Sequence, residues 1–60
     1  MGFSEYLNNV RIKEAKRLLT STKMSITDIC MDVGFKSVTH FGRVFMKITG
    51  FSPLAYRKRG

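Results

Sequence analysis

Apolar side chains recur along this chain in three stripes of helical period, separated by short polar stretches rich in the hydroxyl residues and glycines that start and stop helices. Leu7, Val10, Ala15, Leu18 and Leu19 share a face over about residues 4–21, and Ser4 is placed to cap the first turn. Arg11 and Glu14 fall inside that apolar arc. An ion pair between them, with both heads reaching solvent, would ease their placement; the alternative is a partly buried bridge from Arg11 to a neighbouring helix. The period is lost from Thr20 to Met24, so the chain turns there. Ser25 then opens a short helix over about residues 25–33, with Asp28 completing a capping box, Ile26, Ile29, Cys30 and Val33 as its buried stripe and Gly34 at its end. The third helix, about 37–49, is capped by Ser37 and closed by Gly50, and Phe41, Val44, Phe45 and Ile48 lie in one narrow arc. Beyond it, Phe51 is expected to pack back on the third helix, Ser52 to cap, and Pro53 to take the first position of a last short helix, about 53–57.

Only Gly34, Phe35 and Lys36 separate the second helix from the third, and Phe35 is placed to plug the junction. A three-residue turn with a glycine, joining a short capped helix to a longer one with a polar outer face, is the helix-turn-helix signature. The expected fold is therefore all-α: a small helix-turn-helix (homeodomain-like) three-helix bundle with a short fourth C-terminal helix, forming one unit over residues 1–60.

Charge changes the picture from a bare bundle to one with a partner. Opposite its apolar stripe the third helix carries Thr39, His40, Gly42, Arg43, Met46 and Lys47, and no acid follows Asp32. Eleven Lys and Arg against four Asp and Glu give a net charge of +7 and a pI near 10.2. A polyanion is the natural partner, nucleic acid before membrane. Sixty residues leave no room for an enclosed pocket, and a single Cys, a single His and four scattered acids do not converge on a catalytic or metal-binding cluster, so no enzyme, metal or cofactor is expected. The lone Cys30 excludes an intramolecular disulfide and suits a reducing cytoplasm. No apolar run is long enough to cross a bilayer, and glycines and caps cut the chain into pieces too short for a membrane-surface helix.

One more pattern bears on organisation. Gly-Phe-Ser stands at residues 2–4 and again at 50–52, and Phe3-x-x-Tyr6-Leu7 echoes Pro53-x-x-Tyr56-Arg57. Residues 2–7 would then close an earlier, similar unit.

Three segments together carry a family resemblance: E-Y-L-x-x-x-R-I-x-x-A-x-x-L-L at Glu5 to Leu19, S-I-x-x-I-x-x-x-x-G-F at Ser25 to Phe35, and S-x-x-H-F-x-R-x-F-x-x-x-x-G-x-S-P-x-x-Y-R at Ser37 to Arg57. The chain resembles the C-terminal DNA-binding region of the AraC/XylS family of bacterial transcriptional regulators. That region has two helix-turn-helix units joined by a long helix, and the resemblance implies that this chain is the linking helix plus the second unit. Its partners are then double-stranded DNA and a second helix-turn-helix unit on the N-terminal side. The face left bare without that unit gives the chain a route to a dimer.

The resemblance further implies that Val38, Thr39, His40, Gly42 and Arg43 lie where the recognition helix meets DNA, with Lys36 and Ser37 near phosphates. Arg43 suits a two-pronged contact with guanine O6 and N7, or a phosphate. Thr39 suits a base edge or a thymine methyl. His40 suits a phosphate or a guanine acceptor, with a solvent-facing position of no role as the alternative. Val38 suits a thymine methyl or the edge of the core, the wheel favouring the edge. Lys36 and Lys47 suit phosphate anchoring, which fixes register without reading sequence. Gly42 departs from the hydroxyl residue frequent there, and either lets the backbone approach DNA or simply weakens the helix. Arg57, Lys58 and Arg59 read as a solvated basic end with phosphate attraction available. The rival reading is a docking surface for protein, which needs apolar anchors where only Met46 stands.

Overall fold

The first helix is capped two residues earlier than its serine suggests. In a computed structural model, which describes residues 2–59, α1 spans Phe3–Ser21, α2 Ile26–Asp32, α3 Val38–Thr49 and α4 Pro53–Arg59. The Gly2 carbonyl already accepts from the Tyr6 amide at 3.2 Å, so Ser4 lies inside the first turn and Gly2, in extended conformation, is the N-cap. Met1 and Gly60 lie outside the described residues.

Side-chain chemistry fixes the other helix ends. Ser25 Oγ accepts from the Asp28 amide at 3.0 Å and Ser37 Oγ from the His40 amide at 3.3 Å, each satisfying one free N–H of a first turn. Only this half of the expected Ser25–Asp28 capping box is formed among the described hydrogen bonds. At the end of α2, Gly34 takes φ +105°, its amide donates to Met31 O, and the Phe35 amide reaches back to Cys30 O at 3.0 Å. That is a Schellman closure, and it turns Phe35 into the core. Gly50, with φ +84°, ends α3 in the same left-handed conformation.

The 19-residue α1 sets the 31 Å long axis of the bundle, and α2, α3 and α4 all pack on it. The core joins Ile12, Ala15, Leu18 and Leu19 of α1 to Ile29 and Cys30 of α2, Phe35 of the turn, and Phe41 and Phe45 of α3. Val44 and Tyr56 pack on its margin. A run of tilted rings, Phe35 to Phe41 at 5.3 Å, Phe41 to Phe45 at 5.8 Å and Phe45 to Tyr56 at 5.4 Å, carries contact from the turn to α4.

Several sequence expectations are corrected by this packing. Val10 is 48% exposed, while the fully buried Ile12 takes its place in the core. The two positions stand about 200° apart on a helix, so one face cannot bury both. Ile48 is 39% exposed at the rim of α3, because Phe41 and Phe45 fill the space under the helix. Glu14 pairs with Arg17, not Arg11; Nε of Arg17 donates to its carboxylate at 2.8 Å. That hydrogen bond holds the Glu14 carboxyl below its usual range, but at an exposed site it adds little to stability. Phe51 stays outside the core cluster, 36% exposed. Its backbone is held by Thr49, whose Oγ1 accepts from the Phe51 amide at 3.1 Å, and the Arg59 guanidinium lies 4.5 Å over its exposed ring.

The basic end is helix, not tail. Ser52 Oγ accepts from the Ala55 amide, Pro53 starts α4, and the helix runs through Arg59. Within it Arg57 is a structural tether. Its Nε donates to Leu19 O at 3.1 Å and a terminal nitrogen to Thr22 O at 3.3 Å. These bonds satisfy carbonyls at the end of α1 and tie α4 to it.

Gly34 is held by two independent constraints, its positive φ and the Arg11 side chain, whose Nε would lie 3.1 Å from an added Cβ. Gly34→Ala is expected to cost about 1–2 kcal/mol from the backbone alone, lowering Tm by roughly 4–8 °C per kcal/mol in a domain of this size. A thermal melt followed by circular dichroism checks it, and an unchanged Tm would show that the turn relaxes freely.

Candidate nucleic-acid interface

Helix α3 has its two phenylalanines in the core and its opposite side free. Val38, Thr39, Arg43, Met46 and Lys47 are exposed and Gly42 is half-buried. Thr39 stands three and four residues before Gly42 and Arg43, and Met46 four and three after them, so the four form one strip along the helix. Val38 stands at the head of that strip, 42% exposed, and not at the core edge that the wheel favours. Nothing lies within 4 Å of where a Cβ on Gly42 would be, so no packing inside the bundle requires a glycine there.

The remaining candidates sit beside this strip. His40 and Lys47 line a groove between α3 and the start of α1, together with Glu5, Asn8, Asn9, Val44 and Ile48. Lys36 and Ser37 line a second concavity at the turn, with His40 as the wall shared by both. The His40 ring is exposed on its outer side and tilts against Phe35, centroids 5.6 Å apart. Ser37 spends a lone pair on the His40 amide, which leaves its hydroxyl proton able to donate outward.

The electrostatics of this surface are predominantly positive, with Glu5 of α1 as the acid bordering it beside His40 and Lys47. Of the net +7, residues after Asp32 contribute +6, since Lys36, Arg43, Lys47, Arg57, Lys58 and Arg59 meet no acid in that half. The first turn of α3 also has no acid, so the positive end of its helix dipole is uncompensated. Among the described residues the one ion pair is Glu14–Arg17 on α1, away from this face. Such an arrangement attracts a polyanion and supplies hydrogen-bond donors along a helix free to enter a groove.

Two side chains beside these candidates carry no DNA-contact assignment from the sequence, although Met46 is legible on the outer face and Arg11 as an anomaly of α1. Met46 lies in the middle of the strip, 49% exposed, and offers apolar contact beside Arg43. Arg11, on α1, borders the turn concavity with Gly34, Phe35, Lys36, Ser37 and His40. Its signal in the sequence is its awkward place inside an apolar arc. Cys30 is fully buried, and burial pushes its thiol up, away from the reactive thiolate. Among the described residues no group of His, Cys, Asp and Glu is placed to hold a metal ion, and no helix is long and apolar enough to cross a membrane.

Comparison with known proteins gives a consistent picture. A family model described as "Helix-turn-helix domain" matches residues 1–59. The chain is 46% identical over 55 residues to the HTH-type transcriptional regulator YisR of Bacillus subtilis, covering 92% of this chain and 19% of that protein. It is 38% identical over 55 residues to the HTH-type transcriptional regulator MtrA of Neisseria gonorrhoeae, covering 92% of this chain and 18% of that one. The crystal structure of the C-terminal domain of the two-component response regulator yesN from Fusobacterium nucleatum superposes with a TM-score of 0.90 at 35% identity, over 95% of this chain and 55% of that domain. The chain thus spans less than a fifth of the length of these two regulators and about half of a solved domain of the same type.

Proposed function

The chain belongs to the AraC-type helix-turn-helix family, and on that premise we propose that it binds double-stranded DNA with α3 in the major groove, as one half of a bipartite reader in a bacterial transcriptional regulator. The observation that carries this reading is the outer face of α3, which is exposed, cationic and free of acids along its whole length. Arg43, at the centre of the strip, pairs with guanine; Thr39 and Val38 meet base edges and thymine methyls; the open backbone at Gly42 lets the helix sit close. Lys36, Ser37, His40 and Lys47, on the flanks, take phosphates and set the register. A second helix-turn-helix unit completes the reader, in keeping with a solved relative's domain almost twice as long as this chain.

The exposure of Val38 and Met46 favours one rival, a protein-docking face. They flank Arg43 on the strip and form no apolar pocket with it, whereas both suit the methyl-lined floor of a major groove.

The test is a titration of random-sequence duplex DNA by the chain at several salt concentrations. Neutralising roughly three to five phosphates predicts a slope of log K against log salt of about −3 to −5, with a dissociation constant of roughly 10⁻⁴–10⁻⁶ M at physiological salt. Salt-insensitive binding, or none at low salt, would count against the reading.

A further inference from the structure

Four arginines outside α3 can be compared by what holds them. Arg17 is paired with Glu14, Arg57 donates to Leu19 O and Thr22 O, and Arg59 stacks on Phe51. Arg11 differs. It is half-buried, its guanidinium carbon lies 5.7 Å from the centroid of Phe35, and its Nε packs against Gly34. Among the described residues no carboxylate lies within ion-pair distance of it and no carbonyl accepts from it. On its far flank Arg11 also borders a groove containing Glu14 and Asp32, but Glu14 is engaged by Arg17.

On its near flank Arg11 lines the turn concavity, of about 310 Å³, together with Lys36 and His40. No acid lines that concavity. Two permanent cations and an imidazole therefore share one hollow, which Ser37 also lines. One of the two is a planar, five-donor fork resting 5.7 Å from an aromatic centroid, which reduces the freedom it loses on binding. The hollow opens beside the first turn of α3, the edge of the recognition surface.

Resting on the reading of α3 as a major-groove helix, we infer that this hollow seats one backbone phosphate of the DNA and that Arg11, reaching across from α1, is the residue that grips it. The helix-turn-helix unit is then not the whole DNA surface: α1 contributes a contact that fixes how far α3 enters the groove. Gly34 acquires a second reason to be glycine, since a Cβ there would crowd the Arg11 Nε at 3.1 Å and displace the guanidinium.

The experiment compares the wild-type chain with Arg11→Gln and Arg11→Lys on one duplex across a salt series, with helix content measured in parallel. Arg11→Gln is expected to weaken binding by roughly three- to tenfold for every sequence alike and to make the salt slope shallower by about 0.9, the value for one phosphate. Arg11→Lys, which keeps the charge, is expected to keep the slope. A folded Arg11→Gln with the wild-type slope overturns the proposal. So does a shallower slope in Arg11→Lys equal to that in Arg11→Gln, which would mean that the loss follows from Phe35 packing and not from charge. A second readout needs no variant: the Arg11 Nε–H resonance of the wild-type chain should shift when duplex is added. If it stays in place while that of Arg43 moves, the phosphate seat fails and the α3 reading stands. If the wild type binds no duplex at all, the α3 reading itself has failed.

Discussion

Phe45→Ala should leave this chain largely unfolded at 25 °C. Phe45 is fully buried and stands at the middle of the ring series, 5.8 Å from Phe41 and edge-on to Tyr56 at 5.4 Å. It is thus the side chain through which α3 is fastened to α4 as well as to α1. Truncating a buried Phe costs about 3–5 kcal/mol, and a single core of this size supplies only about 3–5 kcal/mol in total. The loss is of the same order as the whole stability. No polar group or cavity-filling neighbour is available to soften it, since the surrounding core is built from side chains already at or near full burial. Urea unfolding followed by far-ultraviolet circular dichroism measures it. A variant that still unfolds cooperatively with less than about 1 kcal/mol lost would show that α4 and the C-terminal half of α3 contribute little to the fold.

The contrast between what the sequence shows and what it hides follows from the range of the interactions involved. Ser25, Ser37, Gly34 and Gly50 act on amides and carbonyls within a few residues of themselves, so each announces a helix end wherever it occurs. Phe41 and Phe45 differ from the residues around them strongly enough that periodicity alone points them inward. Val10, Ile12 and Ile48 are different, because their burial depends on where neighbouring helices happen to pass. An aliphatic residue at the margin of a stripe looks the same whether a phenylalanine has taken the space beneath it or not. Arg57 illustrates the extreme: its partners are carbonyls more than thirty residues away, and a carbonyl has no signature in a sequence. The outward face of α3 is legible because it needs only the helix period and the position of the core stripe. Arg11 is legible only as an anomaly, since the ring it rests on and the hollow it borders come from the turn after α2.

Arg43→Ala should remove sequence discrimination while leaving the fold intact. The side chain is exposed on the outer strip, makes no intramolecular hydrogen bond or ion pair among the described residues, and lies on the side of α3 away from the core. Its loss therefore has no packing consequence, and alanine is the better helix former only by a small margin. On DNA, a bidentate guanine contact accounts for about 1–3 kcal/mol of discrimination against the wrong base, or roughly a five- to 150-fold change in preference at one position. A phosphate contact would behave otherwise, weakening all sequences together and making the salt slope shallower by about 0.9.

That difference makes one measurement decisive: selection from a duplex pool with randomised positions by the wild-type chain and by Arg43→Ala, each at two salt concentrations, with helix content verified for both. The wild type is expected to enrich a short motif containing a guanine, and Arg43→Ala to lose preference at that position while retaining the non-specific, salt-dependent part of its binding. Two folded proteins that enrich the same motif, or that both bind every sequence alike, would contradict the claim that α3 reads bases through Arg43.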